Sequence, residues 1–113
     1  MHEVGIIQNT LEAALKTAQA SGAQRIHNVR MRVGRMSGVV PEALHFAFEV
    51  ARQGTLAAQA ELIIESVPVT CWCDPCQLEF EDGDLLYECP RCRQVSTELR
   101  RGHELELTSV EIS

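Results

Sequence analysis

Residues 71–92 read CWCDPCQLEFEDGDLLYECPRC and carry the strongest structural signal of the sequence. This stretch holds all five cysteines of a chain of 113 residues. Four of them form two C-x-x-C pairs separated by twelve residues, Cys73 with Cys76 and Cys89 with Cys92. Each pair can present two thiolates to one ion from a tight turn, and two such turns complete a tetrahedron around Zn²⁺. Because four protein ligands leave no position for water, we expect this zinc to be structural.

Two other uses of these cysteines are disulfide bonding and redox chemistry. Five is an odd number and no secretory signal is visible, so a disulfide framework is disfavoured. Two C-x-x-C motifs in tandem are unusual for a thioredoxin-like redox site. The fifth cysteine, Cys71, belongs to neither pair, and we expect a semi-buried free thiol beside Trp72. Zinc is therefore the favoured interpretation of the four paired cysteines.

The residues around the cysteines predict how the zinc module turns. Pro75 and Pro90 lie inside the two C-x-x-C turns and stiffen them. This lowers the conformational entropy that the turns lose when the ion binds. The twelve-residue gap suits a short hairpin that turns near Asp82-Gly83-Asp84. Gln77 and Arg93 follow the two turns, at positions where zinc knuckles often have glycine.

Periodic apolar residues on both sides of the cysteines predict an α/β body. Residues 4–20 carry an apolar stripe of helical period, and Pro41 fits the first turn of a second helix that ends before Gly54. Strands are predicted at residues 26–34, 60–68 and 103–112. We therefore expect an α+β fold, a small mixed three-stranded sheet with two helices, plus an inserted four-cysteine zinc-ribbon module.

We expect residues 1–68 and 103–113 to form the body and residues 69–102 to form the zinc-binding module.

The charge and the apolar content limit what this protein can contact. The chain has a net charge of −6, which argues against a general nucleic-acid binder. No apolar run approaches the ~20 residues of a membrane span. Without a visible signal segment, a cytoplasmic location is expected. Three strands leave open sheet edges, so a homodimer could form by strand pairing or strand exchange.

The N-terminus offers a second set of metal donors. The chain opens with Met1, His2 and Glu3, immediately before the first predicted helix. The amine of Met1, together with the amide nitrogen and the imidazole of His2, can chelate one ion. Three nitrogens in a plane suit Ni(II) or Cu(II), and Glu3 can supply a fourth donor. The helix dipole disfavours a cation at this position, although a deprotonated amide reduces the conflict. The alternative is a frayed terminus without a metal role.

The two motifs together resemble the HypA/HybF family of hydrogenase nickel-insertion accessory proteins, and the resemblance covers the whole chain. It implies a nickel metallochaperone for the large subunit of [NiFe]-hydrogenase, sometimes also serving urease, with nickel as cargo and zinc as a structural ion. It also implies a nickel-handling GTPase as partner. The nickel positions it implies are Met1, His2 and Glu3, and the zinc ligands are Cys73, Cys76, Cys89 and Cys92.

No enzyme chemistry is expected from this sequence. It has no G-x-x-x-x-G-K-[ST] phosphate loop, so any GTP dependence comes from a partner. The alternative function is a zinc-ribbon adaptor or nucleic-acid-binding module without a nickel role. A local basic cluster favours that alternative, and its members are Arg91, Arg93, Arg100 and Arg101. The net charge of −3 over residues 69–102 weighs against it.

Overall fold

The computed structural model describes residues 3–83 and 86–113. Its helices and strands, in chain order, are α1 (Glu3–Ala20), β1 (Ile26–Gly34), α2 (Pro41–Ala51), β2 (Glu61–Val67), β3 (Thr70–Cys73), β4 (Leu78–Glu81), β5 (Glu98–Arg101) and β6 (Leu105–Ile112). The two predicted helices and three predicted strands of the body are all present. The predicted α+β fold with a zinc-ribbon module is therefore confirmed. Among the described residues, no helix is long and apolar enough to cross a membrane.

The strands form two separate three-stranded sheets. The first has the order β2-β1-β6, so the central strand is the one that comes first in the chain. The second has the order β4-β3-β5 and contains the first cysteines. Contacts divide the described chain into two compact units. Unit 2 contains Val33–Ser37 and Ser66–Leu105, and unit 1 contains the rest.

The core of unit 1 comes from one face of each helix and from β1. The helical period brings every third or fourth side chain of α1 to the same face, and the buried ones are Ile7, Leu11, Ala14 and Ala18. In α2 the buried face carries Leu44, Ala47 and Phe48. Pro41 occupies the start of α2, where its missing N–H removes no helical hydrogen bond.

Unit 2 includes a short segment that the cysteine pattern does not reveal, Val33–Ser37. Backbone hydrogen bonds tie it to both chain segments that flank the second sheet. Arg35 N–H donates to the Val67 carbonyl at 2.9 Å, and Met36 N–H donates to the Gly102 carbonyl at 2.7 Å. Gly34 is required here, since a Cβ atom at this position would collide with the Gly102 carbonyl oxygen.

The second sheet is built around β3. It pairs antiparallel with β4, with Cys73 opposite Leu78, and antiparallel with β5, with Trp72 opposite Glu98. The hairpin turn therefore lies at residues 74–77 and overlaps the first C-x-x-C motif. The prediction of a hairpin turning near Asp82-Gly83-Asp84 was wrong, because β4 forms its hairpin with the preceding strand, β3. Asp84 itself lies outside the described residues.

Candidate metal centre

The four paired cysteines meet at one point. Their sulfur atoms all lie within 4.8 Å of one another, and the Sγ atoms of Cys73 and Cys92 are 3.5 Å apart. A tetrahedron with metal–sulfur bonds of ~2.3 Å has edges of about 3.8 Å. The cluster therefore has the donor type, number and spacing of a tetrahedral thiolate site. Cys73 and Cys89 are buried, whereas Cys76 and Cys92 are half-buried.

The first turn is shaped by Gln77, which adopts a left-handed backbone conformation with φ 54°. Its N–H donates to the Asp74 carbonyl at 3.3 Å. Its side-chain amide donates to the same carbonyl at 2.6 Å and to Asp74 Oδ1 at 3.2 Å. These side-chain bonds offset the steric cost that a residue other than glycine meets in this conformation.

The second turn repeats this geometry with Arg93, whose φ is 65°. Arg93 N–H donates to the Cys89 carbonyl at 2.8 Å, and Cys89 N–H donates to the Gln94 carbonyl at 2.9 Å. The Arg93 guanidinium lies 3.8 Å from Glu88, in an exposed ion pair. Both positions where zinc knuckles often have glycine thus use the conformation that glycine favours.

The electrostatics of the cluster show why it needs a cation. Burial raises the pKa of Cys76 to about 12, and it also raises the pKa of Cys73. The backbone N–H groups of Cys92 and Arg91 lower the pKa of Cys89 to about 7, although burial opposes them. Four thiolates this close repel one another, so they cannot ionise together without a positive ion among them. A bound divalent cation would supply that charge.

Cys71 is separate from this cluster. It is fully buried, and with Val69 and Phe80 it belongs to the apolar core of unit 2. The expectation of a semi-buried thiol was therefore wrong, because β3 is the central strand of its sheet. Burial raises the pKa of Cys71, and the charge of Asp82 adds to the effect. A protonated, buried thiol of this kind behaves as a small apolar side chain.

Three members of the basic cluster near the metal centre are paired with acids of the same unit. The ion pairs are Arg93 with Glu88, Arg100 with Glu98 and Arg101 with Glu79. The Arg100 guanidinium also lies 4.5 Å from the centroid of the Trp72 ring. A surface for single-stranded nucleic acid combines free positive charge with an aromatic face on which bases stack. Here the three guanidinium groups form ion pairs with carboxylates of the same chain, and one of them, that of Arg100, lies over the Trp72 ring.

Only one of the three N-terminal positions can be placed. Met1 and His2 lie outside the described residues, and Glu3 is the first residue of α1. Glu3 Oε2 lies 3.4 Å from the N–H of Val40, which directly precedes α2. The start of α1 therefore lies beside the start of α2.

Comparisons with known proteins point to one family. The family model for HypA, described as a hydrogenase and urease nickel-incorporation metallochaperone, matches residues 1–112. The chain is 51% identical to the hydrogenase maturation factor HypA of Picosynechococcus sp. over 112 residues, which is 99% of each chain. It is 42% identical to the HypA of Chloroflexus aurantiacus over 98% of each.

The fold agrees as well. The solution structure of the Ni metallochaperone HypA from Helicobacter pylori matches with a TM-score of 0.67 and 26% identity. The match covers 99% of this chain and 97% of that chain. The family resemblance inferred from the two motifs is thereby confirmed, and the chain belongs to the HypA family of nickel-incorporation metallochaperones.

Proposed function

We propose that this protein binds Ni(II) at its N-terminus and delivers it during the maturation of [NiFe]-hydrogenase. The observation that supports this most is the family match, which spans the N-terminal motif as well as the cysteines. The family description also names urease, and we extend the proposal to it. Nickel is cargo here, so the protein is a carrier rather than an enzyme.

The donors of the proposed nickel site are the amine of Met1, the amide nitrogen and imidazole of His2, and a donor from Glu3. An amine and an imidazole must lose their protons to bind, so nickel affinity falls as the pH falls. A nitrogen-rich set of this kind selects Ni(II) or Cu(II) over harder ions.

The metal at the other site is proposed to be a structural zinc held by Cys73, Cys76, Cys89 and Cys92. Sulfur spacings between 3.5 Å and 4.8 Å support a tetrahedral ion. With four protein ligands, the site has no position for water or substrate. Its role is to hold the turn after β3 and the turn at residues 89–92 in one arrangement.

The proposed partners are a nickel-handling GTPase and the large subunit of [NiFe]-hydrogenase. We place nickel binding in a body made of residues 1–68 and 103–113, and zinc binding in residues 69–102. Homodimers are proposed to form by strand pairing or exchange, since β2 and β6 are the outer strands of the first sheet. No partner is expected among nucleic acids or membranes, and the proposed location is the cytoplasm.

A nickel titration of zinc-loaded protein with an untagged N-terminus tests this function. The expected result is one tightly bound nickel per chain, which His2→Gln abolishes without changing the zinc content. His45→Gln is the matched control, because His45 is an exposed histidine of α2. Undiminished nickel affinity in His2→Gln would reject the N-terminal site. Absence of nickel binding by the unmodified chain would favour the zinc-ribbon adaptor instead.

A further inference from the structure

The outer face of α2 carries apolar side chains that the fold does not use. Phe46 and Val50 lie one helical turn apart and are 73% and 57% exposed. The opposite face of the same helix is already filled by Leu44 and Phe48, which are buried. A phenylalanine that points away from the core contributes little to folding, and exposed apolar pairs of this kind mark contact surfaces.

The charges around this pair point to one kind of occupant. Glu42 and Glu49 lie on the same exposed face, and α2 contains no lysine or arginine. Arg52, just after the helix, pairs with Glu49 at 2.7 Å, whereas no ion pair of Glu42 is found among the described residues. An apolar pair bordered by carboxylates is complementary to a helix with apolar and basic faces.

We propose that the outer face of α2 is a docking surface for a basic amphipathic helix of a partner protein. The apolar residues of the partner helix would cover Phe46 and Val50, and its lysines or arginines would face Glu42 and Glu49. A second copy of this chain fits less well, because a symmetric contact would oppose the same carboxylates. An anionic membrane surface would be repelled by these acids.

Two further exposed apolar side chains lie near the start of the two helices. Val40 is 52% exposed and precedes α2, and Val4 is 61% exposed near the start of α1. The contact between Glu3 Oε2 and Val40 N–H, at 3.4 Å, places these two exposed valines at the same end of the helix pair. Glu3, one of the proposed nickel residues, therefore lies at the start of the helix that carries Phe46 and Val50 on its outer face, although the docking surface does not depend on nickel binding.

The test uses the zinc-loaded full chain and a synthetic peptide of leucine and lysine at amphipathic helical spacing. Binding is measured by fluorescence anisotropy, and the site is mapped by amide chemical shifts in NMR spectra. We expect shifts in α2, at least tenfold weaker binding by Phe46→Ala, and a reduced salt dependence for Glu42→Gln. A peptide with glutamate in place of lysine should not bind.

Two controls make the result decisive. Val95→Ala removes an equally exposed apolar side chain (66%) from unit 2, so it should leave the affinity unchanged. Thermal unfolding should show that Phe46→Ala retains the fold, since the side chain is exposed. Equal affinity of Phe46→Ala and the unmodified protein, shifts confined to other elements, or tighter binding to anionic vesicles than to the peptide would overturn the proposal.

Discussion

The sulfur atoms of Cys73 and Cys92 lie 3.5 Å apart, although 19 positions separate the two residues in the chain. Cys73 is the last residue of β3, whereas Cys92 lies in the turn of the second C-x-x-C pair, between β4 and β5. A metal ion at this point cross-links the second sheet to the segment that precedes β5. Among the described residues, few other bonds join these two parts. One of them is the hydrogen bond that the Ser96 hydroxyl donates to the Trp72 carbonyl, at 2.6 Å.

The first prediction concerns the loss of one of the four proposed zinc ligands. Cys92→Ser should remove the metal and disorder residues 86–97, because three thiols cannot complete the tetrahedron. The helices of unit 1 should persist, since their core lies elsewhere. Metal analysis and NMR spectra measure the two effects. Full zinc occupancy in this variant would contradict the assignment of Cys92 as a ligand.

The second prediction separates Cys71 from the metal centre. Cys71→Ala should keep one zinc per chain and lower the free energy of unfolding by about 1–2 kcal/mol, because a small cavity replaces the sulfur. Cys71→Ser should also keep the zinc but cost a further ~1 kcal/mol or more, because a hydroxyl would be buried among apolar side chains. Zinc content and denaturant unfolding at fixed free zinc measure both. Substoichiometric zinc in the alanine variant would show that Cys71 is a ligand.

The third prediction compares Gln77 and Arg93, the two residues that follow the C-x-x-C pairs in the left-handed conformation. Arg93→Gly should raise the free energy of unfolding by about 0.5–1 kcal/mol, because glycine adopts this conformation without steric cost. The exposed ion pair that is lost contributes little. Gln77→Gly should be near neutral, since it also removes two side-chain hydrogen bonds to Asp74. Equal stabilisation by both substitutions would show that the Gln77 amide bonds do not matter.

The sequence predicts the local elements of this fold well and its long-range pairings poorly. Helical period and strand alternation depend only on neighbouring residues, so α1, α2 and β1 could be recognised directly. The pairing of β4 with β3 could not, because it depends on a turn inside the C-x-x-C motif. The close approach of Gly34 to Gly102 was invisible for a similar reason, since the two glycines are far apart in the chain.

The candidate site was also predictable where it depends on local spacing, and not where it depends on long-range pairing. The spacing of the four cysteines predicts their clustering because a common ion dictates it, and the structure brings their sulfurs together. The full burial of Cys71 depends on which strands flank β3, and no local pattern records this. The ion pair of Arg101 with Glu79 was missed for the same reason, because Glu79 comes from another strand.

The last prediction concerns Glu3, whose carboxylate accepts the N–H of Val40 at 3.4 Å. Glu3→Gln keeps an oxygen acceptor for this N–H but removes the charge, whereas Glu3→Ala removes both. If Glu3 contributes its carboxylate to nickel binding, both variants should weaken nickel affinity by at least tenfold. The alanine variant should lower the thermal stability of unit 1 more than the glutamine variant, because it loses the acceptor for the Val40 N–H as well as the negative charge in the first turn of α1. Calorimetric nickel titration and thermal unfolding measure the two effects. Wild-type nickel affinity in Glu3→Gln, with loss in Glu3→Ala, would instead assign Glu3 to positioning the start of α2.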